Sequence, residues 1–161
     1  MSIKLKGVKQ KLLYTIKPKN IFELTAIILE RISSEGPNCD LNDIDVTNIT
    51  DMSWLFTNLH FNGDISGWDV SNVKAMDGMF YGSKFNGDIS GWDVSNVENM
   101  DWMFTGSKFN GDISEWDVSN VKNMGYMFAE SNFNGDISGW DISNVKYMYG
   151  MFENCPLEKT L

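Results

Sequence analysis

The sequence predicts an α/β solenoid, with a short parallel β-sheet along one side and helical turns along the other. Two observations predict this fold class. A block of 24 residues recurs along the chain almost unchanged, and such repetition is typical of solenoids, whose units bury their apolar faces against their neighbours. Within each block, an alternating apolar–polar–apolar stretch typical of a strand precedes apolar residues spaced as on one helical turn.

The repeat divides the chain into three parts. Residues 1–36 form a basic N-terminal segment, and residues 157–161 form a partial repeat at the other end. Five units lie between them, in residues 37–156. Their bounds are 37–60, 61–84, 85–108, 109–132 and 133–156.

The second unit shows the pattern of each block. The letters "NG" at 62–63 have turn composition, because glycine tolerates a positive φ. The letters "WDV" at 68–70 alternate with the period of a short, half-buried strand. The letters "MDGMF" at 76–80 carry apolar residues at the spacing of one helical turn. Each unit is therefore interpreted as turn, short strand, loop and helical turn.

The repeated sequence "FNGDISxWDVSNVxxMxxMFxxS" resembles the repeat of the BspA-like leucine-rich-repeat surface proteins, also known as a repeat domain of unknown function in mycoplasma lipoproteins. The resemblance covers residues 37–156, and the preceding "KPKNIFELTAIILERISSEG" is similar to the usual start of such bacterial arrays. It implies a right-handed array like that of leucine-rich repeats, with roles in adhesion and protein binding.

A helix over residues 21–35 is predicted in front of the repeats. Asn20 and Glu23 have the spacing of a capping box, and Gly36 followed by Pro37 is a natural stop. The helix is apolar around much of its circumference, so we expect it to cap the first unit.

Several lysines precede this helix and alternate loosely with apolar residues, which suggests an edge strand. They are Lys4, Lys6, Lys9, Lys11, Lys17 and Lys19. A nucleic-acid or membrane patch is the alternative to a solvated cap, and the solvated cap is the reading we favour.

Charge is unevenly distributed along the chain, whose formal net charge is -9. Residues 1–36 hold seven basic and three acidic residues, a net +4, whereas residues 37–161 hold six basic and nineteen acidic residues, a net -13. An acidic body argues against direct nucleic-acid binding, which needs a basic footprint. It favours a protein partner with a basic surface.

The ninth residue of every unit is aspartate. These residues are Asp45, Asp69, Asp93, Asp117 and Asp141. On adjacent strands about 4.8 Å apart, each neighbouring pair would repel by about 0.9 kcal/mol even at the dielectric constant of water. Three features could offset this repulsion: local hydrogen bonds from backbone or Ser71-type neighbours, bridging divalent cations, or a basic partner protein. The spacing matches no familiar calcium loop, so we predict no metal site and no cofactor.

Some aromatic residues vary between units and are not required by the repeat. They are Trp54, Trp102, Tyr126, Tyr147 and Tyr149. Exposed aromatic residues are favoured anchors of protein interfaces, so we predict that they bind a partner together with the recurring aspartates. The alternative is that their rings pack over the adjacent helical turn.

Catalysis has little support in the sequence. His60 is the only histidine, and no nucleophile–base pair or phosphate loop is visible. Cys39 and Cys155 lie four units apart, so we expect two free thiols. No apolar run is long enough to span a membrane, and the basic start lacks the apolar core of a signal peptide, so a cytoplasmic location is expected.

The leading functional hypothesis is a non-catalytic protein-binding module with an acidic sheet face and a variable aromatic edge. A second hypothesis is a small cytoplasmic inhibitor or immunity protein that blocks a basic, nucleic-acid-binding target. A third is a structural adhesin fragment. The residues after the last unit are too few to cover it, which suggests an end-to-end homodimer or a stub folded across the end.

Overall fold

The computed structural model describes residues 16–159 of the chain. Its helices there are one α-helix, α1 (Ile21–Glu35), and one short 3-10 helix (Pro156–Lys159). Apart from these helices, the described residues are held in turns and in isolated parallel β-bridges. The lysines proposed to form an edge strand lie mostly before residue 16, outside this range.

Helix α1 occupies the range that its end signals predict. The Asn20 side chain accepts a hydrogen bond from the Glu23 N–H at 3.0 Å, and the Glu23 carboxylate accepts one from the Lys19 N–H at 2.8 Å. The first bond satisfies a donor that the first helical turn leaves free. The helix ends at Gly36, which adopts a positive φ of 93° and donates its N–H to Ile32 O.

One face of α1 is joined to the first repeat unit. Leu24 and Ile28 are fully buried within the same apolar core as the repeats. The Arg31 guanidinium donates to the Asp43 carboxylate at 3.1 Å and to the Asp40 carbonyl at 2.8 Å. The helix therefore covers apolar residues at this end that would otherwise face water.

Successive units stack in parallel with a register of 24 residues. A chain of parallel bridges joins the equivalent residues of all five units, which are Asp51, Ala75, Asn99, Asn123 and Tyr147. The "WDV" stretch forms none of these bridges. The Trp68 N–H bonds to Ile65 O within its own unit, and the Asp69 carboxylate takes the N–H of Ser71.

The "MxxMF" segment, predicted as a helical turn, forms consecutive β-turns that carry most of the bonding between units. Every second N–H donates to the next unit: Gly78, for example, donates to Asp101 O at 2.8 Å. The N–H groups between them close turns within the unit, as Met79 does to Met76 O at 3.2 Å. Within residues 16–159 no continuous sheet is formed, and the α/β solenoid class stays a prediction.

The core is built from ladders of identical side chains. Phe56, Phe80, Phe104, Phe128 and Phe152 form one such stack, with neighbouring ring centroids 5.5–6.0 Å apart and ring planes within 4° of parallel. A second stack contains Phe61, Phe85, Phe109 and Phe133. Buried tryptophans donate their indole N–H to a carbonyl of the preceding unit, as Trp68 does to Leu41 O at 2.9 Å. These ladders satisfy the buried polar groups while the rings exclude water.

Among the described residues, apolar side chains of the last unit are more exposed than their equivalents in the preceding unit. Ile142 and Met148 are 42% and 43% exposed, whereas their equivalents one unit earlier, Val118 and Met124, are buried. A cavity of about 570 Å³ opens beside them, and Leu157 of the 3-10 helix lines part of it. The predicted end-to-end homodimer would cover this cavity, and it stays a prediction.

Phe104→Ala is expected to destabilise the protein by about 3–5 kcal/mol, because it removes a fully buried ring from the middle of the longest stack. Phe22→Ala is the matched control, since Phe22 is 82% exposed, and its effect should stay within about 0.5 kcal/mol. Urea unfolding followed by circular dichroism measures both. Equal losses in the two variants would contradict this packing.

Candidate functional site

Each aspartate of the ninth-position ladder is hydrogen-bonded within its own unit, and all of them except the half-buried Asp45 are exposed. Asp69 accepts the Ser71 N–H at 3.1 Å and the Ser71 hydroxyl at 2.6 Å. Equivalent N–H bonds of 3.0 Å are present in the other four units. The buried Trp68 and Val70 flank Asp69 in sequence, so the carboxylate points outward as the alternation predicts.

A second ladder of aspartates has the same local geometry five residues earlier in each unit. Asp64 accepts the Ser66 N–H at 2.9 Å and the Ser66 hydroxyl at 2.7 Å. Asp88, Asp112 and Asp136 accept equivalent bonds from their own serines. The sequence signal for both ladders is an Asp-x-Ser triplet, which favours this side-chain turn.

These bonds stabilise the charged carboxylates. The Ser119 hydroxyl and N–H hold the pKa of Asp117 below its ordinary value, and Ser143 lowers the pKa of Asp141 in the same way. At the N-terminal end, Lys17 Nζ lies 2.7 Å from the Asp45 carboxylate and, with Thr47, lowers the pKa of Asp45. Local hydrogen bonds thus offset repulsion along the ladder, one of the three offsets considered from the sequence. Among residues 16–159, no group of three or more His, Cys, Asp or Glu residues is placed to hold a metal ion.

The variable aromatic residues form one continuous row, which we call the aromatic edge: Trp54, Tyr81, Trp102, Tyr126 and Tyr149. Ring centroids are 5.9 Å apart between Trp54 and Trp102, and 6.2 Å apart between Trp102 and Tyr126. The row continues at 5.4 Å from Tyr126 to Tyr149, and Tyr81 lies 5.9 Å from Trp54. Four residues of the edge were predicted as site residues; Tyr81 was not.

Much of the aromatic edge is open to solvent. Trp54 and Trp102 are 43% and 40% exposed, and Tyr149 is 77% exposed. Tyr147, also predicted as a site residue, is 67% exposed on the same unit as Tyr149. Such a contiguous row of exposed apolar side chains is unlike an ordinary protein surface, on which exposed apolar residues are scattered singly.

Three members of the aromatic edge adopt a backbone conformation that bulky residues rarely use. Trp54, Trp102 and Tyr126 have φ values of 63°, 58° and 53°. The equivalent residues of the other two units are glycines, Gly78 and Gly150, with φ values of 59° and 62°. Because the left-handed conformation costs roughly 1–2 kcal/mol for a residue with a Cβ, these aromatic residues occupy positions where glycine is the relaxed choice.

The glycines at these positions make room for the neighbouring rings. A Cβ at Gly78 would lie 2.3 Å from the Trp54 ring, and one at Gly150 would lie 2.5 Å from the Tyr126 ring. The rings of Trp54 and Tyr126 therefore pack against the next unit and are also partly exposed to solvent. Both alternatives considered from the sequence, an exposed interface anchor and packing over the adjacent turn, thus describe part of the geometry.

Acidic residues accompany the aromatic edge, and the sequence prediction did not include them. The Ser53 hydroxyl lies 2.5 Å from the Asp51 carboxylate and 2.6 Å from that of Asp77. Asp101 precedes Trp102, and burial raises the pKa of its carboxyl although the Gly125 N–H donates to it at 2.6 Å. The signal that could have found these acids is the same variation between units that identified the aromatic residues.

One protein-family model matches the chain, over residues 30–128 and again over residues 83–158. Its description reads "Mycoplasma protein of unknown function, DUF285". No curated protein and no solved structure matches the chain. Within residues 16–159, no helix has the length and apolar character needed to cross a membrane.

Lowering the pH through and below the ordinary aspartate pKa of 3.8 is expected to remove stabilisation from the second aspartate ladder. The folded-state pKa values of Asp64, Asp88 and Asp112 are depressed. Their stabilisation is therefore complete above the unfolded-state pKa and is lost as the pH falls through the folded-state values. Thermal melts by circular dichroism, from neutral pH down to about pH 2.5, measure the effect. In a variant with Asn at all three positions, the melting temperature should fall less steeply with decreasing pH. An equally steep fall would show that these three aspartates are not the source of the pH dependence.

Gly78→Ala is expected to be more destabilising than Gly106→Ala. Both glycines have a positive φ, but only at Gly78 would the new Cβ meet the Trp54 ring. Gly106→Ala should lose about 1 kcal/mol for the left-handed backbone alone. Gly91→Ala is the control, because Gly91 has no atom near its Cβ position and no left-handed φ, and it should be neutral or slightly stabilising. Urea titrations rank the three, and equal effects at Gly78 and Gly106 would show that Trp54 does not pack there.

Proposed function

Because the chain belongs to the repeat family described as Mycoplasma protein of unknown function, DUF285, we propose a function from the surface that its own variable residues form. The protein is a non-catalytic binding module for another protein. The aromatic edge anchors the partner, and the acidic ladder of the repeats attracts a basic surface towards it.

The strained aromatic residues carry this proposal. Two of the five units have glycine at the position where Trp54, Trp102 and Tyr126 stand, so the fold does not require an aromatic ring there. Each ring costs backbone strain and remains about two-fifths exposed at the tryptophans. Residues that are present although they lower the stability of the fold are characteristic of functional surfaces. Rigid, exposed tryptophan and tyrosine rings are also the side chains that dominate binding energies at protein interfaces.

Charge supports the choice of a basic partner. Hydrogen bonds from serine leave the charge on Asp69 and its equivalents, so the ladder still contributes to the net -13 of residues 37–161. A field of one sign speeds the encounter with a partner of opposite sign and weakens at high ionic strength.

A second candidate is an inhibitor or immunity protein that blocks a basic, nucleic-acid-binding target inside the cell. The acidic repeats favour it, because a surface of this sign can compete for the basic footprint of such a target. The resemblance to BspA-like surface repeats favours instead an adhesin fragment. A basic partner that loses its nucleic-acid binding in the complex would distinguish the inhibitor from the general binding module, and a location in the cytoplasm would distinguish it from the adhesin.

The variant Trp54→Gly/Trp102→Gly tests the proposal, since glycine is the residue of the equivalent positions 78 and 150. Its free energy of unfolding should stay within about 1 kcal/mol of the wild type, because relief of backbone strain offsets the lost packing. Partner binding should be lost. A photoreactive phenylalanine at Tyr147, 67% exposed, can cross-link partners in the native cell with and without the two substitutions.

Two results would contradict the proposed function. One is a loss of several kcal/mol in the variant, which would make the tryptophans part of the core. The other is an unchanged set and yield of cross-linked proteins. Phe22→Ala serves as the control, because it removes an exposed ring that lies on α1 and outside the aromatic edge.

A further inference from the structure

A small cavity of about 330 Å³ lies within the aromatic edge. Its aromatic walls come from three successive units: Tyr81, Trp102 and Tyr126. Thr105, Ala129, Glu130 and Glu153 complete its lining. Three aromatic rings with two carboxylates form a combination that suits a cation, because ring faces attract positive charge and carboxylates pair with it.

The two glutamates are held side by side by the backbone. The Glu130 N–H donates to Glu153 O at 2.7 Å across the boundary between the fourth and fifth units. The Glu153 carboxylate lies near enough to Gly150 that a Cβ there would approach it at 3.2 Å. Both glutamates are exposed, and neither forms an ion pair with a basic residue in the described part of the chain. Their charge is thus available to a ligand.

The residues that line this cavity differ from the equivalent residues of other units. Glu130 has a φ of 55°, whereas the equivalent residues of the second and third units are Gly82 and Gly106. The residue equivalent to Glu153 is Thr57 in the first unit and Thr105 in the third. The acidic and aromatic residues therefore converge only where the variable positions of units two to five meet, as expected of a site and not of a repeated structural feature.

We propose that this cavity binds the cationic side chain of an arginine or lysine presented by the partner protein. The charged group lies against the faces of Trp102 and Tyr126 while the carboxylates of Glu130 and Glu153 pair with it. This inference rests on the proposed function, since it names the chemistry by which the aromatic edge recognises a basic partner. Arginine offers a planar guanidinium that stacks on rings and pairs with both carboxylates, whereas lysine offers a point charge.

The acidic groups beside the cavity also favour a cation. Desolvation raises the pKa of Tyr126, and the neighbouring Tyr149 and Glu153 raise it further. Asp101, next to Trp102 in the chain, is partly buried and acidic. A bound cation would be attracted by all of these groups.

The test uses the short blocked peptides acetyl-Gly-Arg-Gly-amide, acetyl-Gly-Lys-Gly-amide and acetyl-Gly-citrulline-Gly-amide. Citrulline has the shape of arginine without its charge. Titrations followed by the NMR signal of the Trp102 indole N–H, assigned through Trp102→Gly, should show weak saturable binding of one or both cationic peptides. The citrulline peptide should bind about three- to tenfold more weakly than arginine. The relative affinity of the arginine and lysine peptides tells which cation the cavity prefers.

Two variants separate the contribution of the carboxylates to binding from any contribution to the stability of the fold. Glu130→Gly/Glu153→Thr places at each site a residue that other units already carry, and should weaken the cationic peptides about three- to tenfold without lowering the melting temperature. Glu115→Gly, which restores the residue of the equivalent positions 67 and 91, removes an exposed acid outside the cavity and should leave binding unchanged.

Equal binding of the citrulline and arginine peptides to the wild-type protein would overturn the proposal, as would the absence of any saturable shift. The proposed function fails by a different result, namely cross-linking that does not depend on Trp54 and Trp102. A partner whose binding is lost in Trp54→Gly/Trp102→Gly but unchanged in Glu130→Gly/Glu153→Thr would support the binding module and contradict the cationic pocket.

Discussion

The structure depends on the alignment of equivalent residues in successive units at a register of 24. Alternate N–H groups of the "MxxMF" segment donate to the next unit, and those between them close turns within their own. This alternation needs a positive φ twice per unit, as at Gly78 and Gly82. The register places each phenylalanine against its own equivalent, so the near-parallel stack of Phe80 and Phe104 follows from the backbone pairing. A one-residue insertion within a unit would break both together, which is a physical reason for repeating the letters so closely.

The same constraint shapes the candidate site. A side chain on a left-handed residue is directed along the array over the following unit, as Trp54 is over Gly78. Repeating this geometry over units that carry either an aromatic residue or glycine at this position produces a row of tilted rings instead of a flat stack. The rings are held firmly by the turn ladder beneath them, and a rigid ring loses little conformational entropy when a partner covers it. The strained left-handed backbone of these aromatic residues thus also preorganises the aromatic edge.

Sequence reasoning recovered the features that local chemistry dictates. The period of 24, the range of α1 from its Asn20 cap and Gly36 stop, and the inward direction of Trp68 and Val70 follow from side-chain type and spacing. The location of the pairing between units could not be predicted, because "WDV" alternates like a strand although the Asp69 carboxylate occupies the Ser71 N–H. The left-handed tryptophans were also beyond prediction, since propensity assigns that conformation to glycine or asparagine. Comparison of units found the aromatic positions, but only the coordinates joined Tyr81, Glu130 and Glu153 to them.

The acidic residues of the array fall into two physically different groups. Those that recur in every unit, such as Asp64 and Asp69, share an Asp-x-Ser turn in which their own serine satisfies them. A second group, Asp101, Glu130 and Glu153, stands at variable positions beside the aromatic edge and lacks this turn. The first group sets the long-range field and is stable without a partner. The second has carboxylates without a cationic neighbour in the described chain, so the free energy gained by pairing them becomes available only on binding. Specificity for a partner is therefore expected to come from the positions at which the units differ from one another.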